Sequence, residues 1–461
     1  MSHFGLGKAG RSRMAYAIAL IALLAAALVL GIGWIREHAG ASSQRHEALA
    51  YRLAFHAADL RDTDFAAAKK LTIAAFKIRP DEQTRGRLID TLLQGRSTPL
   101  PSAVTESVAL SAAARSALIG DDTEAEVWDL TSWLDPEITE KTWALSSLEG
   151  DPDGQTAVRL SPDGRTAITG GGKSAAMVWD LGDPAKPVQS ATLPGKKDAS
   201  PGSLALSADG SRAAIGDSKG DLIVWDLSDM SRPRRVSVTK AHDSHIADLA
   251  LSSDGRVAVT SALDGTVRSW DLGDSASPAK TADLSYPTNI QTAVAMSADG
   301  GTVLLGRQNR LEMWRLGTGS LPTPAAHIDA PMAYVDGLSL TSDGRTALVT
   351  GESSSGFLLD LSKPLGPVHL ARLKGEGQEI SSSVLSTDGA FALTAQSGGT
   401  TLWDLRDLTK IVADPEAVAC PDGFGLGISK AEWLRYTGES DWSEFAGADW
   451  DTLPSCRIRV T

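Results

Sequence analysis

Leu251-Ser252-Ser253-Asp254-Gly255 is followed, sixteen residues after its Asp, by Ser269-Trp270-Asp271-Leu272. Seven such units lie between Val108 and Leu405: an apolar stretch ending in Ser or Thr, usually an Asp-Gly turn, a short strand, then Trp-Asp-Leu or a variant of it. The anchor residues are Trp128, Trp179, Trp225, Trp270, Trp314, Leu359 and Trp403, with steps of 51, 46, 45, 44, 45 and 44 residues. In six units the Asp of the Asp-Gly pair precedes the anchor by 15 or 16 residues, which fixes the lengths of the intervening strands. The first unit has Ala113-Ala114-Arg115 in place of that turn, yet its Ser111-to-Trp128 spacing of 17 matches the others.

Within one unit, the run Ala247 to Leu251 reads as a first strand and Arg256 to Ser261 as a second, with Thr266 to Leu272 as a third. Apolar residues alternate along them, as a packed sheet face requires. The glycine after Asp supplies the positive φ of a tight turn. A period near forty-five residues with this Trp-Asp signature resembles that of WD40 β-propellers. The resemblance implies an all-β, seven-bladed ring over 96–413. A four-stranded blade cannot bury both faces alone, so the ring must close. Ser97 to Leu100 stands where every other unit has its fourth strand, and is expected to pair with the third strand of the seventh blade.

The family pattern also carries a His whose imidazole joins Ser/Thr, Asp and Trp in a buried hydrogen-bond network. Only the fourth unit matches it: His242, then Thr260 or Ser261, Asp264 and Trp270. Elsewhere the His position holds Asp151, Lys197, Pro287, Pro331 or Glu376, so those blades are expected to rely on packing.

Residues 14–35, MAYAIALIALLAAALVLGIGWI, hold no charge over 22 positions, enough to cross a hydrocarbon core of about 30 Å as a transmembrane helix. Lys8, Arg11 and Arg13 in residues 1–13 place that end in the cytoplasm and the ring outside. Ala39-Gly40-Ala41 has the form of a signal-peptidase site, but the apolar run is longer than that of a cleaved signal, so an uncleaved anchor is expected. Ala27 and Gly31 form a small-residue pair that could bring two such helices together. Over 43–94 the chain reads as helices: Asp64 caps a stripe of Phe65, Ala68, Leu71, Ala75 and Ile78 that ends at Arg79-Pro80, and a second helix runs from Asp81 to Leu93. This segment is expected to pack on itself and on one propeller face, as a spacer. The tail, 414–461, has a capped helix at Ser429 to Tyr436, with Trp433, Trp442 and Trp450 to cover apolar surface. It also holds both cysteines, Cys420 and Cys456; outside the membrane they can bridge and close a 36-residue loop.

The segment Leu53-Ala54, Asp62-Thr63-Asp64, Ala66 to Leu71, Ala74-Ala75 and Ile78-Arg79-Pro80, with the tail residues Cys420, Ile428-Ser429, Ala431-Glu432-Trp433, Tyr436 and Cys456, resembles the juxtamembrane and tail portions of actinobacterial STAND-type ATPases. In that family a nucleotide-binding domain precedes the membrane helix. Here 13 residues precede it and no G-x-x-x-x-G-K-S/T motif occurs, so the resemblance implies an anchored sensor or scaffold without ATPase activity.

Net charge is -13, and -16 beyond residue 13, which argues against nucleic acid as a partner. No catalytic set or cofactor motif is legible, since the recurring acids follow the fold period and His242-Asp243-Ser244-His245 lacks a third metal ligand. The expected function is therefore non-enzymatic, protein-binding scaffolding. The competing reading is a propeller hydrolase or lactonase with a metal in the central channel. It needs acids or His on the inner strands, whose central triplets hold only one charge, Arg159. Lys196, Lys197, Arg307 and Arg310 are candidate basic points of a partner-binding rim; Trp133 and Trp143, in the longest step, read first as a satellite packing cluster and alternatively as exposed anchors of that rim.

Overall fold

The computed structural model describes residues 43–102, 106–121, 124–135, 137–138, 141, 144–149, 157–170, 175–273, 277–284, 292–317, 320–363, 368–375, 379–421, 427–440 and 452–458. The expected membrane segment 14–35, like Trp143, Trp442 and Trp450, lies outside them. Among the described residues no helix is long and apolar enough to cross a membrane. These residues divide into two units: Leu92–Pro415, and the helices up to Thr91 together with the tail from Glu416.

The larger unit is a ring of seven four-stranded antiparallel sheets. In blade 4 the strands, a to d, are Ile246–Leu251, Val257–Ala262, Val267–Asp271 and Ala279–Asp283. The seventh blade is completed by the earliest strand of the ring: Ser97–Leu100 pairs with Gly399–Asp404, Ser97 opposite Trp403 and Leu100 opposite Thr400. Arg96 braces this closure through its Nη2, 2.7 Å from Asp407 Oδ2.

The core explains why the ring closes. Its apolar clusters lie between blades: Ala205, Leu222 and Val224 of blade 3 pack with Ile246, Leu249 and Trp270 of blade 4. Blades 7 and 1 meet in the same way through Leu393, Leu402, Val108 and Trp128. Each such contact removes apolar surface at roughly 25 cal/mol per Å2, and an open arc would expose two of these faces.

The a–b turns supply a second fastening. Ser252 Oγ donates to Asp254 Oδ1 at 2.7 Å and accepts from Val257 N at 2.9 Å. The Ser/Thr-to-Asp bond recurs in blades 2, 3, 5, 6 and 7. The turns also bond to one another, with Ser253 N to Ala298 O, Ala298 N to Ser342 O, and Ser342 N to Thr387 O. Pro162, without an N–H, cannot extend this belt from blade 2 to blade 3. In blade 1 the glycine's place is taken by Ala114, which is held at φ 50°.

In the smaller unit, a helix over 43–60 (α1) precedes α2, Phe65–Ile78, and α3, Glu82–Gln94. Asp64 Oδ1 caps α2 by accepting from Ala67 N at 2.9 Å. Leu71, Ala75 and Ile78 pack with Leu49 and Leu53 of α1 and with Ile428, Trp433, Tyr436 and Ile458 of the tail. Phe65, expected in that stripe, is 36% exposed, because it stands at the helix start beyond the reach of the cluster. The tail helix Lys430–Thr437 has the expected cap, a reciprocal Ser429–Glu432 box. Cys420 and Cys456 are joined as a disulfide, with Cα atoms 5.9 Å apart.

Candidate functional site

Loops joining strands b to c and d to a emerge on one face of a propeller, those joining a to b and c to d on the other. Among the described residues, blade 4 has the most elaborately fixed loop of the first face. His242, 1% exposed, lies between two hydroxyls: Nδ1 is 2.7 Å from Thr266 Oγ1, and Nε2 is 2.7 Å from Thr260 Oγ1. Thr266 Oγ1 donates to Asp264 Oδ1 at 2.6 Å, so it must accept from Nδ1–H. Thr260 Oγ1 accepts from Trp270 Nε1 at 2.9 Å and can donate its own proton to Nε2. The pattern fixes a neutral imidazole with its hydrogen on Nδ1. Burial, with the nearby Arg268 charge, lowers the His242 pKa to about 4.

Ser261 is outside this network. Neighbouring residues of a strand point to opposite faces, and the Ser261 hydroxyl donates to the Thr292 carbonyl leading into blade 5 at 2.6 Å. Thr260 is the hydroxyl of the network.

The loop carrying His242 is also seated on the b–c turn of blade 3, where Ala241 N and His242 N both reach Gly220 O at 2.9 Å. Gly220 has φ 83°, and a Cβ there would stand 2.2 Å from the His242 carbonyl oxygen. This face is therefore rigid at blades 3 and 4.

The basic points lie on the same face but on separate blades. Lys196 is not a free cation: its Nζ is 2.6 Å from Asp221 Oδ2, an almost fully buried carboxylate. Lys197 is exposed and offers its carbonyl to Lys219 Nζ at 3.1 Å. Arg307 and Arg310 face each other across the tight turn of blade 5, with Arg310 exposed and Arg307 half-buried. Trp133 does not join them. It sits in a short c–d helix, Thr131–Leu134, hence on the opposite face, and packs edge-on against Trp128 with ring centroids 6.2 Å apart. The helix Thr131–Leu134 lies back on the blade because Trp128 offers Trp133 an apolar surface.

The central channel, lined by strand a of every blade, holds a cavity of about 630 Å3. Arg159 lines it, as the sequence led one to expect, but so does Asp248, one residue before the triplet of its strand. The irregularity of this strand falls earlier, between Ile246 and Asp248; from Asp248 to Leu251 the register is continuous, and alternation sets Asp248 on the same face as Ala250, the counterpart of Arg159. Asp248 Oδ1 and Oδ2 each accept a backbone N–H, from Leu249 and Val294, both at 2.8 Å, the second bond joining blade 4 to blade 5. Burial raises its pKa and lowers that of Arg159. Serines fasten other blades from the channel side: Ser107 Oγ accepts from Val158 N and Ser382 Oγ from Val108 N, both at 3.2 Å. Among the described residues, no group of three or more His, Cys, Asp or Glu gathers as a metal centre.

Compared with protein-family models, residues 233–271 match the WD40 description "WD domain, G-beta repeat". The matched stretch runs from strand d of blade 3 through strand c of blade 4 and includes the His242 network. No curated protein matches the chain. The larger unit is thus a seven-bladed β-propeller, in which residues 233–271 match a WD40 repeat.

Proposed function

We propose that the protein is a non-enzymatic recognition module, anchored in the cytoplasmic membrane through residues 14–35, that holds its propeller outside and binds another protein there. The observation that carries the binding role is the closed ring with a b–c/d–a face braced by buried hydrogen bonds at blades 3 and 4. A preorganised face loses little entropy on binding. Supporting the placement are the uncharged 22-residue segment, the basic residues Lys8, Arg11 and Arg13 on its N-terminal side, and a disulfide of the kind an oxidising compartment sustains. The resemblance to the outer portions of STAND-type ATPases points the same way.

A photo-crosslinking residue placed at the exposed Lys197 should capture a discrete protein in membranes, whereas one at Arg345, on an a–b turn of the other face, should not. Equal capture from both, or none above background under several growth conditions, would refute the binding role. Reporter fusions to the C-terminus test the placement separately: activity confined to the cytosol would overturn it. An enzymatic reading with a channel metal finds less support, because the acids that line the cavity, Glu106, Asp248 and Asp336, are not gathered into one ligand set.

A further inference from the structure

Arg159 and Asp248 both line the central channel, and their charges attract each other without forming an ion pair. At the position of Arg159 the other blades have Ala109, Ala205, Ala250, Ala295, Ser339 and Val384, so the guanidinium is a solitary departure from a small or apolar ring. The position of Asp248 is serine in blades 1, 3 and 7, as Ser107, Ser203 and Ser382. Those serines spend their hydroxyls on neighbouring blades.

Arg159 donates one protein hydrogen bond, from Nη1 to the Val158 carbonyl at 2.9 Å. A guanidinium has five N–H donors in a planar fork suited to a carboxylate. Asp248 accepts one N–H on each oxygen, and a carboxylate has about four acceptor sites. Unused donors on one wall and unused acceptors on another thus face a single cavity of about 630 Å3, a volume that encloses a small organic molecule. A ligand of one sign fits poorly. A simple anion at Arg159 also meets Asp248 and the acids Glu106 and Asp336 of the same wall, and a simple cation at Asp248, though drawn by those acids, leaves most of the Arg159 fork without an acceptor.

We propose that the central channel is a binding site for a small zwitterion of the α-amino-acid type, its carboxylate held by Arg159 and its ammonium by Asp248. The site is distinct from the partner-binding face and can be lost without it.

The test is calorimetric titration of the full-length protein in detergent with the common α-amino acids one by one, with acetate and ethylamine as single-charge controls. At least one amino acid should bind saturably, and both Arg159→Met and Asp248→Asn should weaken it at least about tenfold. Acetate and ethylamine should bind weakly or not at all. The thermal transition of each variant reports its folding. If Arg159→Met does not fold, Arg159→Lys, which keeps the charge and loses the fork, should also weaken binding. No binding by any amino acid, an affinity unchanged in the variants, or acetate binding as tightly as the amino acid would overturn the proposal. Capture through Lys197 should be unaltered in both channel variants.

Discussion

The hydroxyl of Thr260 accepts the indole hydrogen of Trp270 at 2.9 Å, ten residues along the chain and one strand across. The same bond forms from Trp179 to Thr169 and from Trp403 to Thr394. In blades 3 and 5 the equivalent residues are Ile215 and Leu305, and the buried Trp225 and Trp314 indole nitrogens have no protein partner. Blade 6 avoids the problem with Leu359.

Removing that hydroxyl leaves both Trp270 and His242 unsatisfied in the interior. Thr260→Val is expected to cost about 2–3 kcal/mol, read as a lower urea midpoint at an unchanged slope. Ile215→Thr, which gives Trp225 an acceptor, should lose far less than a hydroxyl normally costs in an apolar core. Equal losses in the two variants would show that the network contributes nothing beyond packing.

His242 makes stability depend on pH. Its pKa is near 4 in the folded protein against about 6.5 unfolded, so between those values the unfolded chain binds the extra proton. The stabilisation is complete above pH 6.5 and falls away as pH drops through 4, by up to about 3 kcal/mol. Unfolding free energies measured from pH 7 to 4 should decline more steeply in the native protein than in His242→Asn, which has no proton to gain.

Ala114 adopts φ 50°, where an L-residue is strained by about 1 kcal/mol and glycine is not. Ala114→Gly should therefore raise stability by roughly 0.5–1 kcal/mol, less the small apolar area of its buried methyl group. Gly255→Ala, at φ 68° in blade 4, should have the opposite sign. Thermal melts of the two variants decide the matter.

The disulfide closes a loop of 36 residues in the helix-and-tail unit, equivalent to about 4 kcal/mol on the chain-entropy model. Reduction should lower the melting temperature of that unit, seen as helical signal, and leave the transition of the sheets where it was. Protease digestion under reducing conditions should cut first within the tail.

Much of this was legible beforehand because the ring is built by repetition. The Trp-to-Trp spacing, the Asp-Gly turns and the position of Ser97–Leu100 each follow from strand length and turn chemistry, which act locally. The partner of Phe65's helix in the tail was not legible as a contact, since nothing local ties Leu71 to Trp433. Asp248 escapes a reading confined to the triplet Leu249-Ala250-Leu251 of its strand, although alternation sets Asp248 on the face of Ala250. For Trp133 the packing reading agrees with its contact on Trp128, while the alternative of a rim anchor overlooks that the face on which a loop emerges depends on the strand it follows. Between Thr260 and Ser261 only the pleat could choose.

The pairing of Leu100 with Thr400 also sets an order of events in biogenesis. The strand that completes the last sheet is made first, and three hundred residues must emerge before its mate exists. Until then Ser97–Leu100 and both flanks of the growing arc are bare edges, open to any passing β-strand. So distant a contact is slow to form and exposes the nascent chain to aggregation, and a holding chaperone that masks the first edge until the final one arrives should raise the yield of native protein.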